Sequence, residues 1–164
     1  MTLVRQAVDA DLPALLGIYN HAIATSTAVF EYDPHTLEMR RAWLHDKHAA
    51  NLPVLVALDA DAGVVGFATY GSFRAKPAYR QTIEHSVYVA EQAWRRGIAR
   101  QLMEALIADA RERRYHAMIA GVVVDNEPSL RFHEAMGFVE VAHFREVGFK
   151  FGRWLDLKFL ELLL

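Results

Sequence analysis

A chain of 164 residues, 53% hydrophobic and 23% charged, has the composition of a folded domain rather than a disordered segment. A net charge of -2 supplies no basic field for nucleic acid or an anionic membrane, and the lack of cysteine excludes disulfides, thiolate metal sites and an acyl-cysteine intermediate. No run approaches the roughly 18 apolar residues of a membrane span, and Met1 to Arg5 lead to Asp9 and Asp11 without a signal-peptide core, so a single cytoplasmic domain over 1–164 is expected.

In chain order, 2–8 predicts a short strand. Asp9, Asp11 and Pro13 start a helix whose apolar stripe is Leu12, Leu15, Leu16, Tyr19, Ala22 and Ile23. A loop over 25–34 precedes a second helix that begins at Thr36 and ends before Pro53. The runs 54–58 and 64–70 predict a β-hairpin around 59–63. A strand over 82–89 puts Ile83, His85, Val87 and Val89 on one face and Thr82, Glu84, Ser86 and Tyr88 on the other. A tight turn at 95–99 opens a helix that turns Ile98, Leu102, Met103, Leu106, Ile107 and Ala110 inward. A strand over 118–124 follows, then a short helix begun by Asp125, Asn126 and Pro128 and stopped by Gly137. Extended structure over 138–141 and a closing strand over 154–162 complete an α/β order, which predicts a mixed sheet with helices on both faces.

Several residues along this order are candidates for chemistry. Arg95, Arg96, Gly97, Ile98, Ala99 and Arg100 stand where a strand hands over to a helix. They either gather amides and guanidinium groups around a phosphate or form a plain turn with solvated arginines. The three-glycine dinucleotide fingerprint and the phosphate-loop lysine are both absent. Glu84 is either a half-exposed strand residue or a general base. Moving a proton from an α-amine to an ordinary Glu crosses roughly 3.5 pKa units, about 5 kcal/mol, and a partly buried Glu narrows that gap. His85, on the opposite face, is either a packed core residue or, if a bulge interrupts the strand, a second base, and His133 is either a packed helix residue or an acid. The loop carrying Arg74, Ala75 and Lys76 offers a carboxylate donor or a solvated basic turn. Phe30, Phe151 and Trp154 wall a pocket or pack into a core or interface. His45 and His48 share a helical spacing without a completing ligand, so no metal site is expected.

The tyrosine-bearing strand, the arginine-glycine turn, Asn126-Glu127-Pro128-Ser129, His133-Glu134 and Gly137-Phe138 together resemble the GCN5-related N-acetyltransferase superfamily. Ser26-Thr27-Ala28-Val29-Phe30, Thr82 to Val89 and Val147 to Asp156 are similar to its phosphinothricin and methionine sulfoximine acetyltransferase branch. The resemblance spans nearly the whole chain. It implies that fold, with transfer of acetyl from acetyl-CoA to the α-amine of a small amino-acid-like substrate.

The resemblance also implies roles for individual residues. Val87, Tyr88 and Val89 would run along the pantetheine arm, Arg95 to Arg100 would cradle the pyrophosphate, and Asn126 would bond the arm farther along. Glu84 would be the base, directly or through water, with the amide of Tyr88 or Val89 facing the oxyanion. His133 stands where many members protonate the departing thiolate with a tyrosine. His85, Ser86, Phe30 and the 74–76 loop would line the substrate, and the apolar 159–164 end would join a homodimer. Trp94 departs from the usual Gln or Arg before the turn, a side chain that amide cradling does not need. An acetyltransferase for another amine (a polyamine, an aminoglycoside or a protein N-terminus) and a non-catalytic acyl-CoA-binding module are the alternatives.

Overall fold

The computed structural model describes residues 2–164. Seven strands form one sheet: β1 (Leu3–Gln6), β2 (Val54–Asp59), β3 (Gly63–Ser72), β4 (Thr82–Val89), β5 (Ala117–Val123), β6 (Val139–Lys150) and β7 (Arg153–Leu163). Their spatial order is β1-β2-β3-β4-β5-β7-β6. Neighbours run antiparallel except β4 and β5, which are parallel and pair only from Thr82–Ala117 to Glu84–Ile119. The described helices are α1 (Leu12–Thr25), α2 (Leu37–Ala49), α3 (Ile98–Glu112) and α4 (Glu127–Ala135).

Local chemistry sets these boundaries. Thr36 caps α2 by accepting from Met39 N at 3.2 Å, and Asn126 caps α4 by accepting from Ser129 N at 3.2 Å, with Pro128 in the first turn. Gly137, at φ 92, ends α4 in the left-handed region that a side chain would strain.

The helices cover both faces of the sheet. On one, Leu12, Leu15 and Ile18 of α1 and Leu44 of α2 meet Val54, Val56 and Phe67. On the other, Leu102, Met103 and Leu106 of α3 meet Ala57, Val65, Ile83 and Met118, with Leu130 and Phe132 of α4 alongside. Burying one such aliphatic side chain is worth about 1.5–3 kcal/mol against about 1 kcal/mol for a typical cap, and each helix buries several, so the apolar stripes decide which way each helix rolls. All six apolar positions expected in α3 are buried. In α1 the buried set includes Ile18, while Leu16 is only half-buried.

The chain end differs from expectation. Instead of a short extension over 138–141, β6 continues for 12 residues to Lys150. It is an edge strand with register breaks between Glu140 and Ala142 and between Phe144 and Gly148, which erase the period-two pattern that reveals a strand. β7 lies between β5 and β6, with Leu160 buried and Leu163 60% exposed near the chain end. On β6, the apolar side chains of Val139 (65%), Val141 (55%) and Val147 (52%) are exposed. Among the described residues no helix is long and apolar enough to cross a membrane.

Candidate active site

Beyond Glu84 and Ile119 the strands β4 and β5 part, and a cavity of about 260 Å³ opens in the fork. Residues 84–88 of β4 and 120–123 of β5 form its arms, Asn126, Ser129 and His133 approach from α4, and Thr27, Ala28 and Phe30 approach from the α1–α2 loop.

Register decides which backbone groups face the fork. Phe73 N donates to Thr82 O and Ala90 N to Val65 O, so even-numbered residues of β4 turn their amides and carbonyls to β3. Val87 and Val89 therefore turn theirs to the fork, where β5 no longer pairs with them. The Val89 carbonyl accepts from the indole N–H of Trp94 at 2.8 Å. The expectation for Tyr88 needs correction: its amide faces β3, so Val87 joins Val89 as the donor pair toward the fork. The Tyr88 ring packs against Tyr19 and Phe67, and burial pushes its phenol up to about 12.

Glu84 projects over β5. A Cβ on Gly121 would stand 3.3 Å from Glu84 Oε1, so the missing side chain is what admits the carboxylate. Burial raises the Glu84 pKa above the ordinary carboxylate value, and the charge of Arg74 opposes that rise. Arg74 itself is exposed, with its guanidinium 4.6 Å from the centre of the Phe73 ring. Ala75 and Lys76 are exposed on the same loop and do not line the cavity, because the chain swings outward into the helical turn Pro77–Tyr79. Phe30 lines the cavity; Phe151 and Trp154 are exposed outside it.

The register of β4 on β3 is unbroken from Ser72–Ile83 to Gly66–Val89, so His85 keeps the face opposite Glu84. His133 Nδ1 lies 2.7 Å from Ser129 O, and a carbonyl only accepts, so that nitrogen carries the proton. Burial lowers the pKa of His133, which leaves its Nε2 bare. His85 Nε2, 3.2 Å away, must then donate to it. That leaves His85 Nδ1 as a buried acceptor with no partner among the described residues. Burial and the neighbouring His133 hold the pKa of His85 down at about 3. The acid role considered for His133 is therefore corrected: it is a neutral packed imidazole whose N–H is committed to Ser129.

At the mouth of the fork, Gly97 (φ 78) and Arg95 (φ 61) both adopt left-handed backbone ahead of α3. Gln101 N donates to Gly97 O, which leaves the amides of Ile98, Ala99 and Arg100 without intrahelical acceptors and free for an anion. The arginines divide. Arg96 is paired with Asp59 and Arg100 lies 3.6 Å from Glu104, whereas Arg95 makes no ion pair among the described residues.

The sequence reading missed Thr27, Ala28, Gly121 and Ser129 as cavity residues. Gly121 carried a usable signal, since glycine inside a strand marks a close approach. No group of three His, Cys, Asp or Glu side chains that could hold a metal occurs among the described residues.

Residues 16–138 match the Acetyltransferase (GNAT) family model. The L-methionine sulfoximine/L-methionine sulfone acetyltransferase of Pseudomonas aeruginosa is 42% identical over 97% of this chain and 92% of its own length. The phosphinothricin N-acetyltransferase of Streptomyces coelicolor is 40% identical over 96% of this chain and 94% of its own. An acetyltransferase structure from Salmonella typhimurium, solved with its cofactor acetyl-CoA, superposes with a TM-score of 0.95 at 38% identity over 99% of this chain and 93% of that one. A forked sheet, a helix start with free amides and likeness of this extent lead to one conclusion: the chain belongs to the GNAT family of acetyltransferases.

Proposed function

We propose that this enzyme transfers the acetyl group of acetyl-CoA to the α-amine of a small amino acid of the methionine sulfoximine, methionine sulfone or phosphinothricin type, with Glu84 as general base. One observation carries the reading: Glu84 is a half-buried carboxylate beside the unpaired edge of β4, with its proton affinity raised by burial. The rise narrows the gap to an α-amine near 7.7–8.0, which makes proton transfer between them cheaper.

In the reaction, Glu84 takes the proton from the ammonium and the freed nitrogen attacks the thioester carbonyl. The N–H of Val87 or Val89 meets the charge that grows on the carbonyl oxygen. As the C–S bond breaks, the nitrogen gives up its second proton to water and the thiolate takes one from that water, consistent with a neutral His133. The amides of Ile98, Ala99 and Arg100 suit the pyrophosphate, with Arg95 as the added cation. Arg74, close enough to bear on Glu84, suits the carboxylate or phosphinate of the amino acid. The enzyme works in the cytoplasm as a homodimer, a second copy covering the exposed valines of β6.

The test is thiol release from acetyl-CoA with phosphinothricin, methionine sulfoximine, methionine sulfone, a polyamine and an aminoglycoside. The reading expects turnover with the amino acids and little with the others. Thiol release with none of them would sink it in favour of a non-catalytic acyl-CoA-binding module.

A further inference from the structure

Lys150, the last residue of β6, is only 3% exposed, and its ammonium makes no ion pair among the described residues. A buried charge needs full hydrogen bonding to be tolerated. Lys150 Nζ obtains it from three backbone carbonyls: Ile23 at 2.7 Å, Ser26 at 2.8 Å and Val29 at 2.7 Å. The first belongs to the last turn of α1, where unpaired carbonyls favour a cation.

The other two carbonyls belong to a turn with no regular structure, whose residues Thr27 and Ala28 face the cavity together with Phe30. The two residues before Lys150 hold the same loop. A Cβ on Gly148 would collide with the Phe30 ring edge at Cε2 and Cζ, so the bare glycine is what seats that ring. Phe149 O accepts from Tyr32 Oη at 2.7 Å. Three consecutive residues at the tip of an edge strand thus tie down a wall of the fork that α1 otherwise holds only at its two ends, through Ala22 to Ser26 and Asn20 to His35.

We propose that Lys150 is a positioning residue for the acceptor amine. Its ammonium fixes the 26–29 turn, and with it Thr27, Ala28 and Phe30, against the cavity that holds Glu84. The inference rests on the reading of that cavity as the place where an amine is acetylated. None of the contacts that make the clamp comes from the start of α3 or from the Val87–Val89 edge. Loss of the clamp therefore acts on the amine and spares acetyl-CoA.

The experiment compares wild type, Lys150→Met and Gly148→Ala in steady-state kinetics with methionine sulfoximine, and measures acetyl-CoA binding by calorimetry. Lys150→Met keeps the stem and removes the donors, while Gly148→Ala displaces the Phe30 ring and leaves the ammonium in place. The expected result for Lys150→Met is a rise in KM for the amine of about 10- to 100-fold, the scale of loss when a reactant is misplaced by an ångström. Acetyl-CoA affinity stays within about 2-fold, which separates a positioning role from general damage to the fold. Gly148→Ala moves the amine KM in the same direction by less, and it carries the test if Lys150→Met does not fold. An unchanged amine KM in an active variant, or equal losses for both substrates, overturns the inference. Wild type inert toward every amine overturns instead the reading on which it rests.

Discussion

The Nε2 atoms of His85 and His133 lie 3.2 Å apart in the interior, joined by one proton that His85 donates. The pair tolerates no additional proton, because protonating either bare nitrogen would bury a charge with no counter-ion beside it. Both histidines therefore have folded pKa values below the unfolded value of about 6.5. The unfolded chain binds protons first on acidification, so stability is full above about pH 6.5 and falls as the pH drops toward about 3, the folded value for His85. The expected slope is roughly 1.4 kcal/mol per pH unit for each histidine. Denaturant midpoints at about pH 7.5 and 5.5 check this, with His85→Leu losing less between the two than wild type. Equal losses would show that the pair does not titrate as the geometry requires.

Glu84→Gln removes the base and keeps the shape of the side chain. Turnover should fall about 10²- to 10⁴-fold. Acetyl-CoA affinity should hold, because the backbone edge and the start of α3 are untouched. In wild type the acid limb of kcat against pH should lie above the ordinary glutamate range, as burial of this carboxyl requires. Arg74→Ala should push that limb higher still, since the Arg74 charge pulls the Glu84 pKa down.

The division among the turn arginines predicts unequal substitutions. Arg95→Ala removes the uncommitted cation and should weaken acetyl-CoA binding by about 1 kcal/mol, an effect that shrinks with added salt. Arg96→Ala breaks the pair with Asp59 at the end of β2, so it should lower the melting temperature more than the cofactor affinity. Calorimetry and thermal melts on the two variants separate the outcomes.

Val141→Lys together with Val147→Lys places charge on the apolar flank of β6. Sedimentation should show the wild type as a dimer and this variant as a monomer. A wild type that sediments as a monomer at every concentration would remove the second copy from the proposed assembly.

Much of the site was legible in the residues because local rules govern it. The span of β4, the opposed faces of Glu84 and His85, the cap at Asn126 and the inward stripe of α3 follow from periodicity and capping, which tertiary context left alone. What stayed hidden depends on partners far away in the chain. Side-chain alternation says where the Tyr88 ring points, but whether its amide faces β3 or the fork depends on hydrogen-bond register, known only once β3 pairs with β4. The protons on His133 and His85 are set by Ser129 O, the commitment of Arg96 by Asp59, and the burial of Lys150 by a loop more than 120 residues earlier. β6 was unreadable beyond 141 for a different reason, since its irregular pairing and solvent exposure leave no repeating apolar signature.

The three short pairings that join β4 to β5 are a thin seam for a sheet of this size. Past them, the amides of Val87 and Val89 and the facing arm of β5 have no strand partner in the gap among the described residues. A thioester whose amide-bearing tail lay along that gap, as proposed, would behave as a removable strand. By mass action, the rigidity and melting point of the enzyme would then rise and fall with the metabolite supply around it.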